Sequence, residues 1–244
     1  MAIASKPYLR EVSFRPDVQF DAQKYPFNIP AVGALDNLQF HADVTFFVGE
    51  NGSGKSTVLE ALALALGYSP EGGTKNVRLE TTSSVSPLHA SLRLSRSFQK
   101  PSDGYFLRAE SFFNVATYMD EIGLLSSYGG KSLHARSHGE AFLTLLTDKF
   151  RGDGLYLLDE PEAALSPQRQ LAALAAIHQL VKNDSQFIIA THSPILLSYP
   201  GARIFQFSSS GISPVAFEDT EHYSVTRDFL NNYPRRLEQL LSDE

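Results

Sequence analysis

The chain has 244 residues, 43% hydrophobic and 11% aromatic, enough for a full core and too apolar for a disordered polypeptide. Its 27 acidic and 21 basic residues give a formal net charge of −6, which disfavours a broad basic surface for nucleic acid. The lack of cysteine excludes a disulfide scaffold and a thiolate metal site, and is compatible with a cytoplasmic location.

From the N-terminus, Met1 to Phe14 carries Lys6, Arg10 and Glu11 without an apolar core, so no secretory signal is expected. No run approaches the roughly 18 apolar residues of a membrane span, so no direct membrane insertion is expected either. Val44–Val48 reads as a buried strand that runs into a glycine loop. Ser56–Leu66, rich in Leu and Ala and closed by Gly67, reads as a helix with a glycine cap. The interval of about 68–135 is richer in Gly, Ser and Thr. Its short alternating stretches, Leu88–Leu94 and Tyr105–Leu107, read as strands of a small inserted subdomain. Leu155–Leu158 is a second buried strand and Phe187–Ala190 a third. Between them Ser166-Pro167 opens a helix whose apolar face is expected at Leu171, Leu174, Ile177 and Val181. Pro234 is expected to open a short terminal amphipathic helix bearing Leu237, Leu240 and Leu241. The basic groups Arg93, Arg96 and Lys100, and Arg235 with Arg236, read as solvated faces. Strands alternating with helices imply a single α/β domain over 1–244, with a mostly parallel sheet covered by helices on both faces.

Gly49-Glu50-Asn51-Gly52-Ser53-Gly54-Lys55-Ser56 fills every position of the P-loop pattern between a strand and a helix. The glycines let backbone N–H groups turn toward phosphates, and the helix N-terminus adds partial positive charge. Lys55 is expected to reach the β- and γ-phosphates of ATP and Ser56 to ligate Mg²⁺, with Thr57 completing the nucleotide-contacting stretch. Asp159 and Glu160 stand at the C-terminal end of a buried strand, the edge where open α/β sheets bind ligands. Asp159 suits the metal shell, and Glu160 suits a base for the attacking water.

With these motifs in order the sequence resembles the ABC ATPase superfamily over nearly its whole length. Ser137-His138-Gly139-Glu140 resembles the family's signature motif, with Arg136 in place of its leucine and His138 in place of its first glycine. The same residues form a plain capping box, since Glu140 follows Ser137 by three. Asp159-Glu160-Pro161-Glu162 matches the extended Walker B motif, and His192 in Ala190-Thr191-His192-Ser193-Pro194 resembles the catalytic switch histidine. The resemblance implies that Ser137, Gly139 and Glu140 contact nucleotide on an opposite protomer and that His192 contacts it on its own. Glu110 stands where the family has its Q-loop glutamine and is assigned to the metal; Tyr25 is either the adenine-stacking aromatic or a core tyrosine. Ala163–Ser166 occupies the D-loop without its usual aspartate.

The Asp-Glu-Pro-Glu wording looks most like small stand-alone bacterial ATPases of the chromosome-maintenance, repair and defence branch. That branch implies a homodimer closed by ATP and acting on nucleic acid or a protein partner. The alternative is the nucleotide-binding subunit of a membrane transporter whose permease is another chain. A GTPase fits poorly without an Asn-Lys-x-Asp motif, and a P-loop kinase without a second catalytic helix.

Overall fold

In a computed structural model, the described residues are 6–75, 85–112, 117 and 137–242. Nine strands are described: β1 (Leu9–Phe14), β2 (Leu38–Gln39), β3 (Val44–Val48), β4 (Leu92–Arg96), β5 (Asp103–Arg108), β6 (Gly154–Asp159), β7 (Gln186–Ala190), β8 (Arg203–Ser208) and β9 (Gly211–Val215). The helices are α1 (Pro30–Gly33), α2 (Lys55–Ala65), α3 (Leu88–Ser91), α4 (His138–Thr144), α5 (Pro167–Lys182), α6 (Pro194–Leu197) and α7 (Glu221–Leu241).

Six strands form the central sheet in the order β5-β6-β7-β3-β8-β9. All pair in parallel except β9, which returns antiparallel beside β8. The three middle strands β6, β7 and β3 are buried at every residue, as expected of a parallel sheet covered on both faces. Alternation along each strand divides the interior into two cores. Phe46, Tyr156, Leu158 and Ile189 pack toward α5, whereas Phe47, Leu155, Leu157 and Ile188 pack toward α2 and the β2-β1-β4 sheet.

Buried Gln186 ties that second, antiparallel sheet to the first. Its Oε1 accepts from Leu9 N, and its Nε2 donates to Leu9 O and His41 O, each at 2.9 Å. Lys6 adds an ion pair to Asp43 at 2.8 Å and donates to Val181 O at 3.2 Å.

The main strands and the P-loop helix fall where the sequence places them. Leu88–Ser91 is helical rather than strand, and the chain becomes extended only at β4. The interval expected as an inserted subdomain gives β4 to the antiparallel sheet and β5 to the edge of the central sheet. Its positions 76–84, 113–116 and 118–135 lie outside the described residues, as does Arg136. On α5 the inward face is Ala173, Ile177 and Leu180, with Leu174 and Val181 flanking it and Leu171 exposed. A 3.6-residue period centred on Ile177 leaves Leu171 on the outer side. The terminal helix begins at Glu221, well before Pro234. Its backbone leaves helical geometry at Asn232, so the proline sits in the first turn after a kink. No described residue of α7 is buried, although it carries Phe229, Leu230, Tyr233 and Leu240.

Gln186→Leu keeps the volume but strands three buried backbone groups at about 1–3 kcal/mol each. The variant is expected to lose several kcal/mol in denaturant titration; a loss below about 0.5 kcal/mol would show that the staple is dispensable.

Candidate active site

The loop between β3 and α2 adopts a conformation that only these residues allow. Gly49 has φ +143°, and a Cβ there would lie 2.3 Å from Phe207 O. Gly54 caps α2 in the left-handed region at φ +99°. Helix α2 thus starts with its free N–H groups facing the loop's hollow, the arrangement that binds phosphate.

Lys55 is buried and donates to Gly49 O at 2.7 Å and Glu50 O at 2.9 Å. Burial lowers its pKa, while the charges of Glu160, Asp159 and Glu162 oppose that shift. Ser56 donates to Asp159 Oδ1 at 2.9 Å, joining the P-loop helix to the end of β6. Asp159 is also buried. Its pKa is pushed up to about 6, chiefly by desolvation, against the hydrogen bond from Ser56 and the charge of Arg108.

Glu160 takes a left-handed conformation, φ +50°, and its N–H donates to Ala190 O at 2.9 Å. Such an outlier in a non-glycine residue costs energy and is held by its surroundings. His192 Nε2 lies 3.8 Å from Glu160 Oε1. Glu162 fixes the next turn of chain by accepting from Thr191 Oγ1 at 2.7 Å and from His192 N at 2.5 Å. Ser193 caps α6 through Leu196 N and donates to Gln170 of α5 at 2.5 Å.

Tyr25 is 62% exposed, which excludes a core role. It borders a depression of about 240 Å³ together with Asn51, Lys55, Ser56, Thr57 and Glu160. Glu110 is exposed and ion-paired with Arg108 at 3.3 Å. Arg108, opposite Asp159 in the β5–β6 register, also pairs with Glu60 at 2.7 Å. The carboxylate assigned to the metal from sequence is therefore engaged by an arginine whose charge also acts on Asp159.

Ser137 and Glu140 do form a capping box, closed at 3.0 and 3.4 Å. Arg169 of α5 clamps it, donating to Ser137 Oγ at 3.1 Å and Glu140 Oε1 at 3.2 Å. A Cβ on Gly139 would meet Ala164 O at 2.8 Å, so this glycine is needed for packing on the 3₁₀ turn Pro161–Ala164. These residues contact that turn and α5; the depressions beside the P-loop are lined by others.

Sequence reasoning missed Arg108, Gln170 and His222. His222, in the first turn of α7, lies 2.9 Å from His192. Thirty residues separate the two imidazoles, and no local pattern links them; only the fold does.

The residues suit ATP and magnesium. A hydroxyl and a carboxylate, hard oxygen donors, meet beside a buried cation and a helix N-terminus. Among the described residues no cluster of three His, Cys, Asp or Glu is set to hold a metal.

A buried Asp with a raised pKa binds its proton more tightly folded than unfolded, so its stability cost appears as pH rises from about 4 through about 6. Nucleotide-free Asp159→Asn is accordingly expected to melt above the parent protein at pH 7.5. The gap should narrow as pH falls through about 6 in a melting series; a gap that is constant or reversed would contradict this.

Comparison with known proteins gives two family matches. Residues 28–118 match a family described as "AAA domain", and 136–198 match one described as "AAA domain, putative AbiEii toxin, Type IV TA system". A curated relative, ABC transporter G family member STR2 of Medicago truncatula, is 26% identical over 171 residues, covering 62% of this chain. The chain spans 24% of that relative's length. Among solved structures, the SMC head domain from Thermotoga maritima is similar with a TM-score of 0.47 and 14% identity, over 85% of this chain and 99% of that one. The ATP-binding cassette MJ1267 of an ABC transporter gives a TM-score of 0.47 and 18% identity, over 93% and 98%. The P-loop conformation, the parallel sheet with its acidic strand end and the two matches in chain order make this chain similar to AAA-type P-loop domains.

Proposed function

We propose that the chain hydrolyses ATP with Mg²⁺, and that two copies close around nucleotide as a switch acting on nucleic acid or a protein partner. The observation that carries this reading is the Ser56–Asp159 hydrogen bond, with Lys55 and Glu160 on either side of it. Lys55 would hold the phosphates, and the N-terminus of α2 would receive their negative charge. Bound at Ser56 and Asp159, magnesium would supply positive charge to the phosphate oxygens. Glu160 would orient the attacking water and take its proton. His192 would donate a hydrogen bond to the transferring phosphoryl group. Tyr25, exposed at the rim, would offer a face for adenine.

Ser137, Gly139 and Glu140 would complete the site of a second copy, since within their own chain they face the Pro161–Ala164 turn and Arg169. No described helix is long and apolar enough to cross a membrane. The curated relative's name favours a second reading, in which the chain is the nucleotide-binding part of a transporter. Co-purification with a multispan membrane protein would support that reading; stimulation of hydrolysis by DNA or RNA would support the first.

Lys55→Ala is expected to abolish tight ATP binding in calorimetry while the fold persists. Glu160→Gln is expected to retain ATP and slow its hydrolysis by about 10²–10⁴-fold. A folded Lys55→Ala protein with unchanged affinity, or a Glu160→Gln protein at the parental rate, would overturn these roles.

A further inference from the structure

The histidine pair sets a constraint that the nucleotide motifs do not explain. His192 Nδ1 and His222 Nε2 lie 2.9 Å apart, so one nitrogen donates and the other accepts. Burial lowers the pKa of both rings; the charge of Lys55 adds to the shift at His192, and those of His192 and then Lys55 add to it at His222. Two neutral imidazoles then have one ring proton each, and two arrangements are possible. His192 Nε2 and His222 Nδ1 are both buried without a hydrogen-bond partner, so either arrangement leaves one N–H and one bare nitrogen unpaired, and the Glu160 carboxylate decides between them. If His192 donated from Nδ1, its bare Nε2 lone pair would face that carboxylate at 3.8 Å. If His222 donates from Nε2, His192 carries its proton on Nε2, directed toward Glu160. This arrangement sets an N–H rather than a lone pair against the carboxylate, an attraction in place of a repulsion.

We infer that His222 is a positioning residue for the hydrolysis proposed above, holding His192 in the Nε2–H tautomer so that it presents a donor to the reacting phosphate. The inference rests on that reading of His192. The support of His222 is itself ordered. Thr220, fully buried, caps α7 through Tyr223 N at 3.3 Å and donates to Phe217 O at 2.7 Å. Tyr223 also packs on Phe217 with ring centroids 4.5 Å apart. The C-terminal helix thereby reaches the catalytic centre through one side chain. His222 borders a hollow of about 420 Å³ shared with Glu50, Asn51 and His192, so it is placed to act there.

The test combines ring-nitrogen NMR of the whole chain with kinetics. The ¹⁵N spectrum of the parent protein is expected to show His192 protonated at Nε2 and bare at Nδ1. His222→Leu removes the donor and is expected to lower kcat by about 10–100-fold, the scale of an outer partner that orients a histidine, with KM for ATP within about twofold. His222→Gln retains an N–H of similar reach and is expected to recover most of kcat. A parent spectrum with the proton on Nδ1 overturns the inference whether or not the protein hydrolyses ATP. So does parental kcat in His222→Leu under conditions where Glu160→Gln is inactive. A parent protein without ATPase activity would instead remove the proposed function, leaving the tautomer to be judged by NMR.

Discussion

A carboxylate buried at the end of a central strand is costly, and much of this site is arranged around that cost at Asp159. Desolvation pushes its pKa up to about 6, so near neutrality it is held ionised against its surroundings. Ser56 answers with one hydrogen bond at 2.9 Å, and Arg108, its neighbour across β5–β6, answers with charge. Neither neutralises it fully. A pocket with hard oxygen donors and a partly compensated negative charge is primed for a cation, and an additional cation would convert a destabilising group into a binding one. Lys55 is the complementary case, a buried ammonium whose lowered pKa reflects desolvation only partly offset by three carboxylates. Both groups are held in place by elements of the rigid parallel sheet, β3 with its loop and β6, so their spacing does not depend on mobile chain.

From that centre the remaining parts are linked by short polar connections. Glu162 gathers Thr191 and the backbone of His192, which brings the end of β7 to the Walker B turn. Gln170 ties Ser193 to α5, and the residue just before it, Arg169, grips Ser137 and Glu140. The first turn of α5 thus carries one contact to the histidine loop and one to the helix that begins after Ser137. A shift of α5 relative to the sheet would move both together.

The legible parts of the sequence were those with local causes. Gly49 and Gly54 are needed by the loop's positive φ angles, and the pattern from Gly49 to Ser56 was readable without a fold. The fully buried strands β3, β6 and β7 appeared as short apolar runs for the same reason. What sequence could not show was pairing across distance. Arg108 meets Asp159 only because β5 lies beside β6, and the same arginine also pairs with Glu110. His222 meets His192 only because α7 starts against the histidine loop. Sequence alone allows Tyr25 as an adenine-stacking aromatic or a core tyrosine; its exposure beside the P-loop removes the core reading. Sequence points to Pro234 as the start of the terminal helix, because proline usually marks a beginning, whereas the helix starts at Glu221, kinks at Asn232 and continues.

In the proposed function one copy would hold an incomplete site, which Ser137, Gly139 and Glu140 of a second copy would complete. The most direct measurement mixes a Lys55→Ala protein with a Ser137→Arg protein, each folded and inactive alone. If sites are shared across a two-fold dimer, a mixed dimer has one site with both lesions and one with neither. Random pairing makes about half the dimers mixed, each with one of two sites intact, so ATPase activity should return to about a quarter of the parental rate. Activity that stays at the level of the separate variants, or a Ser137→Arg protein fully active alone, would contradict the shared site and leave Ser137 as a helix cap.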